Sequence, residues 1–577
     1  MSDYLFQSYE GDPGVVVEEF TDEECRLLDP SVTNTNSNVF AWKTSADVNS
    51  EQIGALLSRY SRTTFTGRRL FLKEFYPNKD RGREFFDSWL IDYGDDSIQE
   101  MVGGMPSACE FVSNLAVKEI EDCRLGSYIE KSTRYVAFDK KLPNQEFMFY
   151  RDPEIMNSRY GDSYLSLMRG LFESYSSNIG RMSDYIKAEN PIENINFKIN
   201  DKVVTINRVT KEIEEQSGIT ESDLLKAYEN SIKANALDFL RDYLPMSTLT
   251  HLGISMDGRS YENMLNKMLA SPLSEARFIA KRLNSELGKL VPSIVKRLNE
   301  IHGQDFQKFI KDRESNAGRR AKELADVVPD KGENVELMEY KGQGSSDPDK
   351  SLQVSIASAI LYKHSNGASM RQLTKIAEGM SESERKGLIA NYVGERGNRR
   401  HKPGRAFENA EYLFDLRGRI GIYRDLQRHR IGTQERQNFG TELGYETRKQ
   451  FDEIGIGDDY RAKMAEVIDL YKKLKESLPY QAQYPITFGF NARWYYRLNA
   501  RQMYHFCELR TSQQGHPDYR KLVQQMALKV KEVHPTIIEH MKYLNMSDKT
   551  LGRLDSEVRI AMKKTGLTGK APAERKQ

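Results

Sequence analysis

Apolar side chains recur at helical spacing along much of the chain. Phe407, Ala410 and Phe414 lie three and four residues apart. The same spacing recurs later in the chain, at Ala500, Met503 and Cys507. Because residues three and four apart share one face of a helix, the pattern predicts a helix at each place.

Two stretches predict β-structure instead. Residues 486–496 are rich in aromatic side chains and are interrupted by Gly489, which is typical of a strand. Residues 197–209 alternate between apolar and polar positions with a period of two, which predicts an inserted hairpin. Helical patterns dominate the rest of the chain, so we predict an α+β fold.

The predicted elements occur twice in the same order, which indicates an internal repeat. Both halves begin with a similar helical segment, at 55–61 and 359–365, and continue to an arginine-rich segment, at 123–135 and 428–440. A long helical region then ends at a Leu-Pro pair, before a short strand and a last helix. These pairs are Leu244-Pro245 and Leu478-Pro479.

Breaks in the periodicity set the predicted domain boundaries. Residues 1–45 end in a polar stretch and are interpreted as a mobile or wrapping arm. The first repeat then spans 46–302, with an insertion near 190–215, and the second repeat spans 351–550. A linker at 303–350 separates them, and a basic tail at 551–577 is expected to be disordered from Lys563 onward.

Length and charge narrow the possible function classes. About two to four domains are expected for 577 residues. The 85 Lys and Arg balance the 84 Asp and Glu, which argues against general nucleic-acid binding. No run approaches the roughly 20 apolar residues of a membrane span, and no signal-peptide pattern begins the chain, so we expect a cytoplasmic protein without membrane contact. The four cysteines form no CxxC pair, and neither a metal site nor a disulfide is predicted.

The first candidate for chemistry is the run Arg428-His429-Arg430. Three consecutive side chains on a helix point about 100° apart, so they cannot all face solvent. Arginine binds phosphates through its planar fork, which makes the run a candidate anion site. The alternative is a solvated charged patch balanced by Asp425 and Glu435.

A second candidate lies on the late helix, where Arg501 and His505 are four residues apart and share a face. Arg510 follows at the end of this helix. The first repeat has a polar pair at the corresponding place, Arg259 and Asn263. The alternative is a helix face held by salt bridges to acidic residues, Glu508 and Asp518.

A third candidate is the segment that contains Glu130, Ser132, Arg134 and Tyr135. It combines an acceptor, a hydroxyl, a guanidinium and an aromatic ring, which together can hold the phosphate and the base of a nucleotide. The alternative is an exposed loop or the start of a strand.

These candidates resemble the pattern R-H-R-x-x-S-x-N-E-x-S-x-R-Y of the flavin-dependent thymidylate synthase family. The second repeat matches its beginning, whereas Asn438 and Gly440 replace the later Ser and Arg. In the first repeat Asp122-Cys123 replaces the initial Arg-His. The first repeat matches the remainder with Arg124, Ser127, Glu130, Ser132, Arg134 and Tyr135.

A C-terminal family pattern, N-x-R-S-x-x-H/N-F-x-x-x-R, also occurs in both repeats. The second repeat supplies Asn499, Arg501, His505, Phe506 and Arg510. The first supplies Asp257, Arg259, Ser260 and Asn263, with Met268 in place of the final Arg. The family's F-E-H element is present as Phe407-Glu408-Asn409, so its histidine is lost.

The resemblance implies two tandem copies of a fold in which helices pack on an antiparallel sheet. It further implies FAD as cofactor, dUMP as substrate, and methylenetetrahydrofolate and NADPH as co-substrates of a methyltransferase that forms dTMP without a protein nucleophile. Because the family is homotetrameric, a homodimer of this chain would form a pseudo-tetramer.

The implied residue roles are divided between the repeats, which would pool their surviving residues in composite sites. The substrate would be held by Glu130, Ser132, Arg134, Tyr135, Arg428 and Arg510. Of these, the catalytic residues would be Ser132 and Arg510. FAD would be held by Ser61, Ser365, Arg428, His429, Arg430, Asn499, Arg501, His505, Arg259 and Asn263.

Two other functions stay open at this point. The lost motif residues, such as the histidine replaced by Asn409, favour a catalytically lapsed homologue that binds flavin or nucleotide. A flavin-dependent methyltransferase acting on uracil in RNA is supported only by the basic tail.

Overall fold

The computed structural model of the protein describes residues 6–8, 16–44, 48, 50–78, 101, 104–142, 145–199, 202–206, 217–290, 296–324, 327–548 and 551–564. The chain forms two compact units. Unit 1 comprises Met1–Pro191, Ile232–Asp330 and Phe439–Phe490. Unit 2 comprises Ile192–Ser231, Lys331–Asn438 and Asn491–Gln577.

The strands of the described residues form two small hairpins and two larger sheets. They are β1 (Phe6–Ser8), β2 (Val16–Glu18), β3 (Val39–Ala41), β4 (Met105–Ser113), β5 (Ser127–Glu130), β6 (Phe197–Ile199), β7 (Lys202–Val204), β8 (Leu249–Met256), β9 (Val335–Tyr340), β10 (Glu411–Arg419), β11 (Thr433–Arg436) and β12 (Asn491–Asn499).

Helices connect and cover these strands. They are α1 (Asp22–Leu28), α2 (Ser50–Tyr60), α3 (Gly67–Leu70), α4 (Asn114–Ile120), α5 (Pro153–Met156), α6 (Gly161–Ser177), α7 (Ile179–Glu189), α8 (Glu221–Leu240), α9 (Gly258–Ala270), α10 (Ser274–Gly288), α11 (Ile301–Leu324), α12 (Pro348–His364), α13 (Met370–Gly379), α14 (Glu382–Val393), α15 (Ile420–Leu426), α16 (Lys449–Glu453), α17 (Gly457–Ser477), α18 (Ala500–Arg510), α19 (Pro517–Val533), α20 (Pro535–Glu539) and α21 (Leu554–Lys564). No helix of the described segments is long and apolar enough to cross a membrane.

The two four-stranded sheets have the same antiparallel topology. In unit 1 the strands lie in the order β3-β4-β8-β5, and in unit 2 they lie in the order β9-β10-β12-β11. When the four strands of each sheet are numbered by their order along the chain, both sheets have the spatial order first, second, fourth, third. This shared order confirms the predicted α+β fold as two copies of one architecture.

Two helices that begin with similar sequences, one in each repeat, are further evidence of the duplication. α6 begins with Gly-Asp-Ser-Tyr at 161–164, and α17 begins with Gly-Asp-Asp-Tyr at 457–460. Tyr164 and Tyr460 are both completely buried, and the two helices pack against each other within unit 1. The first repeat then continues through α7, the β6–β7 hairpin and α8, for which the second repeat has no counterpart. The hairpin predicted in this insertion is confirmed by the pairing of β6 with β7.

The core of unit 1 lies between its sheet and the helices that precede β4. Phe40 of β3, Leu56 of α2, Leu70 of α3, Ala108 of β4 and Ile129 of β5 belong to one buried cluster. β8 is buried along its whole length, whereas buried and partly exposed residues alternate along β12 in unit 2. The second sheet therefore follows the two-residue period of a half-buried strand more closely.

The helix predicted from Phe407, Ala410 and Phe414 is wrong. A 3₁₀ turn at Arg405–Asn409 carries Phe407 inward, and β10 then begins at Glu411. All three apolar side chains are nevertheless buried. A 3₁₀ turn followed by a strand can place residues three and four apart on the same buried side, as a helix would. The helix predicted from Ala500, Met503 and Cys507 is confirmed by α18.

One predicted correspondence between the repeats is also wrong, although α17 does end directly before Leu478-Pro479. The structural counterpart of Leu244-Pro245 is Tyr484-Pro485, not Leu478-Pro479, because each follows a 3₁₀ turn and precedes the last strand of its repeat. Met246 N donates to Ile486 O at 2.8 Å, so the counterpart segments pair antiparallel within unit 1. This pairing also explains why β12 begins only at Asn491, five residues after the start of the predicted strand.

The segments around the repeats are more regular than their composition indicates. The range 303–350, predicted as a linker, contains most of α11 and all of β9, and in α11 only Gly303 and Ile310 are buried. A polar sequence can form such an exposed helix, so polarity alone does not identify a linker. β3 and β9 lie before the predicted starts of the repeats at 46 and 351. The predicted basic tail contains α21, and residues 565–577 lie outside the described residues.

Candidate functional site

The run Arg428-His429-Arg430 lies in the turn between α15 and β11, because α15 ends at Leu426. The three side chains of this turn nevertheless differ in exposure. His429 is buried, Arg430 is half-buried and Arg428 is exposed. Gly432 follows in the same turn, where an added Cβ would lie 2.8 Å from the backbone oxygen of Arg497. This close approach to β12 fixes the turn that directs the imidazole inward.

His429 is the centre of a cluster of basic side chains in unit 2. Its Nε2 accepts a hydrogen bond from Arg510 Nε at 2.6 Å, and the His505 and Phe506 rings lie 5.5 and 4.8 Å from its own. Burial lowers the pKa of His429 well below its usual value. Four basic groups lower this pKa further, namely Arg510, His505, Lys402 and Arg430. The imidazole is therefore neutral, and His429 with these four groups is called the cationic cluster below.

The start of α18 joins this cluster to the preceding segment. Asn499 caps the helix, and its side chain accepts a hydrogen bond from Gln502 N at 2.8 Å. Arg501 donates from Nε to Pro403 O at 2.9 Å and from Nη1 to Glu408 at 3.1 Å. The carboxylate partner of Arg501 is therefore Glu408, in the 3₁₀ turn before β10. The salt-bridge alternative named Glu508 and Asp518 instead, and these pair with Arg396 and Arg419.

One buried ion pair fixes α18 in place. Arg396 Nη1 and Nη2 donate to the two carboxylate oxygens of Glu508 at 2.7 and 2.5 Å. The two side chains are only 3% and 1% exposed, and the guanidinium lies 5.2 and 5.4 Å from the rings of Tyr504 and Tyr543. Because Glu508 is on α18, the pair sets the position of the helix that carries Arg510.

In unit 1, the candidates of the first repeat follow β5. Glu130 is buried at the end of the strand, and its carboxylate lies 3.5 Å from Lys118 Nζ. Ser132 N donates to Ser61 O at 3.1 Å, while Ser132 Oγ accepts from Arg134 N at 3.2 Å. The structure thus brings Ser61 and Ser132 together, and it supplies the Glu130 carboxylate with a buried cation.

Arg134 forms a bidentate ion pair with Asp238 on α8. Nε lies 2.8 Å from one carboxylate oxygen and Nη2 lies 3.1 Å from the other, with side chains 11% and 1% exposed. Neighbouring Tyr135 is exposed, and the Arg62 guanidinium lies 5.5 Å from its ring centre. The second repeat lacks this helix, so the Asp238 carboxylate has no counterpart there.

The remaining candidates lie at helix ends and on exposed surfaces. Ser365 ends α12, and both Arg259 and Asn263 are exposed on α9. Asn409, in place of the family's histidine, donates to Ala406 O at 3.1 Å. In the part of the chain that the structure describes, no group of three or more His, Cys, Asp or Glu side chains is arranged to hold a metal ion.

Sequence reasoning missed three residues of these sites. Lys402 and Arg396 belong to a basic run at 394–405, whose density is visible in the sequence and could have identified them. Asp238 carries no local signal, because 104 residues separate it from Arg134.

Comparison with known proteins adds a family match. Residues 44–293 and 343–536 match the model of the thymidylate synthase complementing protein family. The chain is 34% identical over 560 residues to a UPF0159 protein of Chlamydia muridarum, which covers 94% of this chain and 98% of that protein. It is 31% identical over 522 residues to a UPF0159 protein of Thermoplasma acidophilum, which covers 89% of this chain and 99% of that protein.

A solved structure, the UMP/dUMP methylase PolB from Streptomyces cacaoi bound with 5-Br dUMP, is similar at 16% identity over 37% of this chain and 96% of that chain. Its TM-score of 0.29 is too low to support a conclusion about activity. The family model, in contrast, matches most of the chain in two segments, one for each repeat. The chain therefore belongs to the thymidylate synthase complementing protein family.

Proposed function

We propose that the protein converts dUMP to dTMP by FAD-dependent reductive methylation, as a thymidylate synthase of the methyltransferase class. In this proposal methylenetetrahydrofolate supplies the carbon, and NADPH reduces the flavin. Family membership supports the reaction class, and the cationic cluster around His429 supports the ligands.

The observation that carries the proposal is the charge around His429. The groups with the largest electrostatic effect on its pKa, Arg510, His505, Lys402 and Arg430, are all basic, and the imidazole itself is neutral. A neutral acceptor can therefore orient Arg510 without cancelling its charge. The phosphates of FAD and dUMP are anionic and match this excess of positive charge. The residues that would hold FAD here are Arg428, His429, Arg430, Asn499, Arg501 and His505.

When bound, FAD would supply the hydride, and the protein's contribution is to bind, orient and stabilise charge. The Arg510 guanidinium would stabilise negative charge that develops on the uracil ring. Glu130, Ser132 and Arg134 of the first repeat would orient dUMP, as the sequence predicts. A cysteine nucleophile is not needed, and burial raises the pKa of Cys109 to about 12 and also raises that of Cys507.

The purified protein tests this proposal directly. We expect flavin bands in its absorbance spectrum that change when dUMP is added. We also expect tritium release from C5-labelled dUMP that requires both methylenetetrahydrofolate and NADPH. A colourless protein that binds no dUMP would refute the proposal.

A catalytically lapsed homologue is the second candidate function. It is favoured by the internal partners of two predicted substrate ligands, since Arg134 is paired with Asp238 and Glu130 lies beside Lys118. Flavin binding without tritium release would identify this outcome. Most of the basic residues that support an RNA substrate lie at 565–577, outside the described residues.

The substitution Asp238→Asn tests whether Arg134 serves the nucleotide. The amide keeps the shape of the carboxylate but removes its charge, so a phosphate no longer has to displace an anion from Arg134. We expect dUMP affinity, measured by isothermal titration calorimetry, to increase about tenfold. Asp184→Asn makes the same charge change at an exposed position of α7 and should leave this affinity unchanged.

The opposite result would assign Arg134 a structural role. If Asp238→Asn lowered the unfolding temperature and left dUMP affinity unchanged, the ion pair would stabilise unit 1 only. The lapsed alternative would then gain support.

A further inference from the structure

The loop before β10 carries a dense group of positive charges, of which the cationic cluster includes only Lys402. Residues 394–405, called the basic loop, contain five Arg or Lys residues and one acidic residue. Arg400, His401, Lys402 and Arg405 are exposed. The loop therefore presents several basic side chains to solvent within unit 2.

Hydrogen bonds inside the basic loop fix its backbone. Gly397 N donates to His401 Nδ1 at 3.2 Å, and Arg400 N donates to Asn398 Oδ1 at 2.9 Å. Arg396 Nε donates to the His401 carbonyl, while the buried pair with Glu508 fixes the Arg396 guanidinium. The exposed basic side chains are therefore attached to an ordered backbone, which lowers the entropy cost of binding a ligand.

The basic loop shares Lys402 with the cationic cluster. Lys402 is one of the groups that lower the pKa of His429, so its ammonium acts directly on the centre of the cluster. Arg501 donates to Pro403 O at 2.9 Å, which ties α18 to the basic loop. Positive charge therefore extends from the proposed flavin site onto an exposed surface of the same unit.

We infer that the basic loop binds the phosphorylated adenosine end of NADPH and sets a preference for NADPH over NADH. This inference rests on the proposed function, in which the cationic cluster already serves FAD and dUMP. NADPH differs from NADH by a 2′-phosphate, which matches exposed guanidinium and ammonium groups. A solvent-exposed position also suits a co-substrate that binds and leaves in every turnover.

Binding of adenosine 2′,5′-bisphosphate to the purified protein tests the inference without relying on catalysis. We expect the double variant Arg400→Gln/Lys402→Gln to bind this probe at least about tenfold more weakly than the wild type, because two charged contacts are lost. Binding of adenosine 5′-monophosphate should change much less. The ratio of KM for NADPH to KM for NADH should rise by a similar factor.

A matched control separates local contacts from net charge. Lys472→Gln/Lys473→Gln removes the same charge from an exposed face of α17 and should leave bisphosphate affinity unchanged. Equal affinity of the wild type for the bisphosphate and the monophosphate would overturn the inference, as would unchanged bisphosphate affinity in the Arg400/Lys402 variant. Selective loss of binding to a pentaglutamate peptide would assign the basic loop to the folate tail and would also overturn it. Failure of the proposed function appears separately, as absent flavin bands or absent tritium release.

Discussion

Arg510→Ala is expected to abolish dTMP formation while flavin remains bound. The guanidinium is directed by His429, and its removal takes away the donor that would stabilise charge on the uracil ring. Loss of one such donor typically lowers kcat by about 100- to 1,000-fold. Tritium release from dUMP measures the activity, and flavin absorbance per protein measures cofactor occupancy.

Two further variants sharpen this experiment. Arg510→Lys keeps the positive charge but loses the planar fork, so it should retain only a small part of the activity. Arg559→Ala removes an exposed arginine from α21 and should behave as the wild type. If Arg510→Ala lost its flavin together with its activity, Arg510 would belong to the flavin site and not to the catalytic step.

Arg396→Met is expected to destabilise unit 2 strongly and to reduce activity through α18. The change leaves the Glu508 carboxylate buried without its bidentate partner. Breaking a buried pair in this way typically costs about 3–5 kcal/mol. For a unit of this size that corresponds to a decrease of roughly 10 °C in the unfolding temperature, which differential scanning calorimetry can measure.

The double variant Arg396→Met/Glu508→Met provides the control. It removes both charges and keeps apolar bulk, so most of the lost stability should return. Arg405→Ala breaks a pair in which the arginine side chain is 87% exposed, and it should change the unfolding temperature by less than about 2 °C. An unchanged unfolding temperature in Arg396→Met would show that the pair does not hold α18.

The sequence predicted much of the fold because repeated local patterns were sufficient to identify it. Each of the two arginine-rich segments, 123–135 and 428–440, contains the third strand of its sheet along the chain, and the helix predicted from Ala500 and Cys507 is α18. Spacing alone failed where different backbones give the same spacing. Phe407 and Phe414 show this, because a 3₁₀ turn and a strand place both side chains in the core.

The candidate site was likewise predicted from the sequence only in part. Motif resemblance singled out His429 and Arg510, and in the structure they form a hydrogen bond across 81 residues of sequence. It also singled out Arg134, but gave no indication that Asp238 would pair with it. The motif states which residue types a family needs, whereas a partner contributed by an insertion lies outside every motif.

By itself the sequence determined that the chain is a duplicated α+β protein, because side-chain periodicity and the order of motifs are local properties of the chain. Only the tertiary structure decided that Arg396 fixes α18, that Asp238 holds Arg134 and that Lys402 acts on His429. Each of these interactions joins side chains from separate segments of the chain. Their charges become coupled only when folding removes water from between them, and no local pattern records that event.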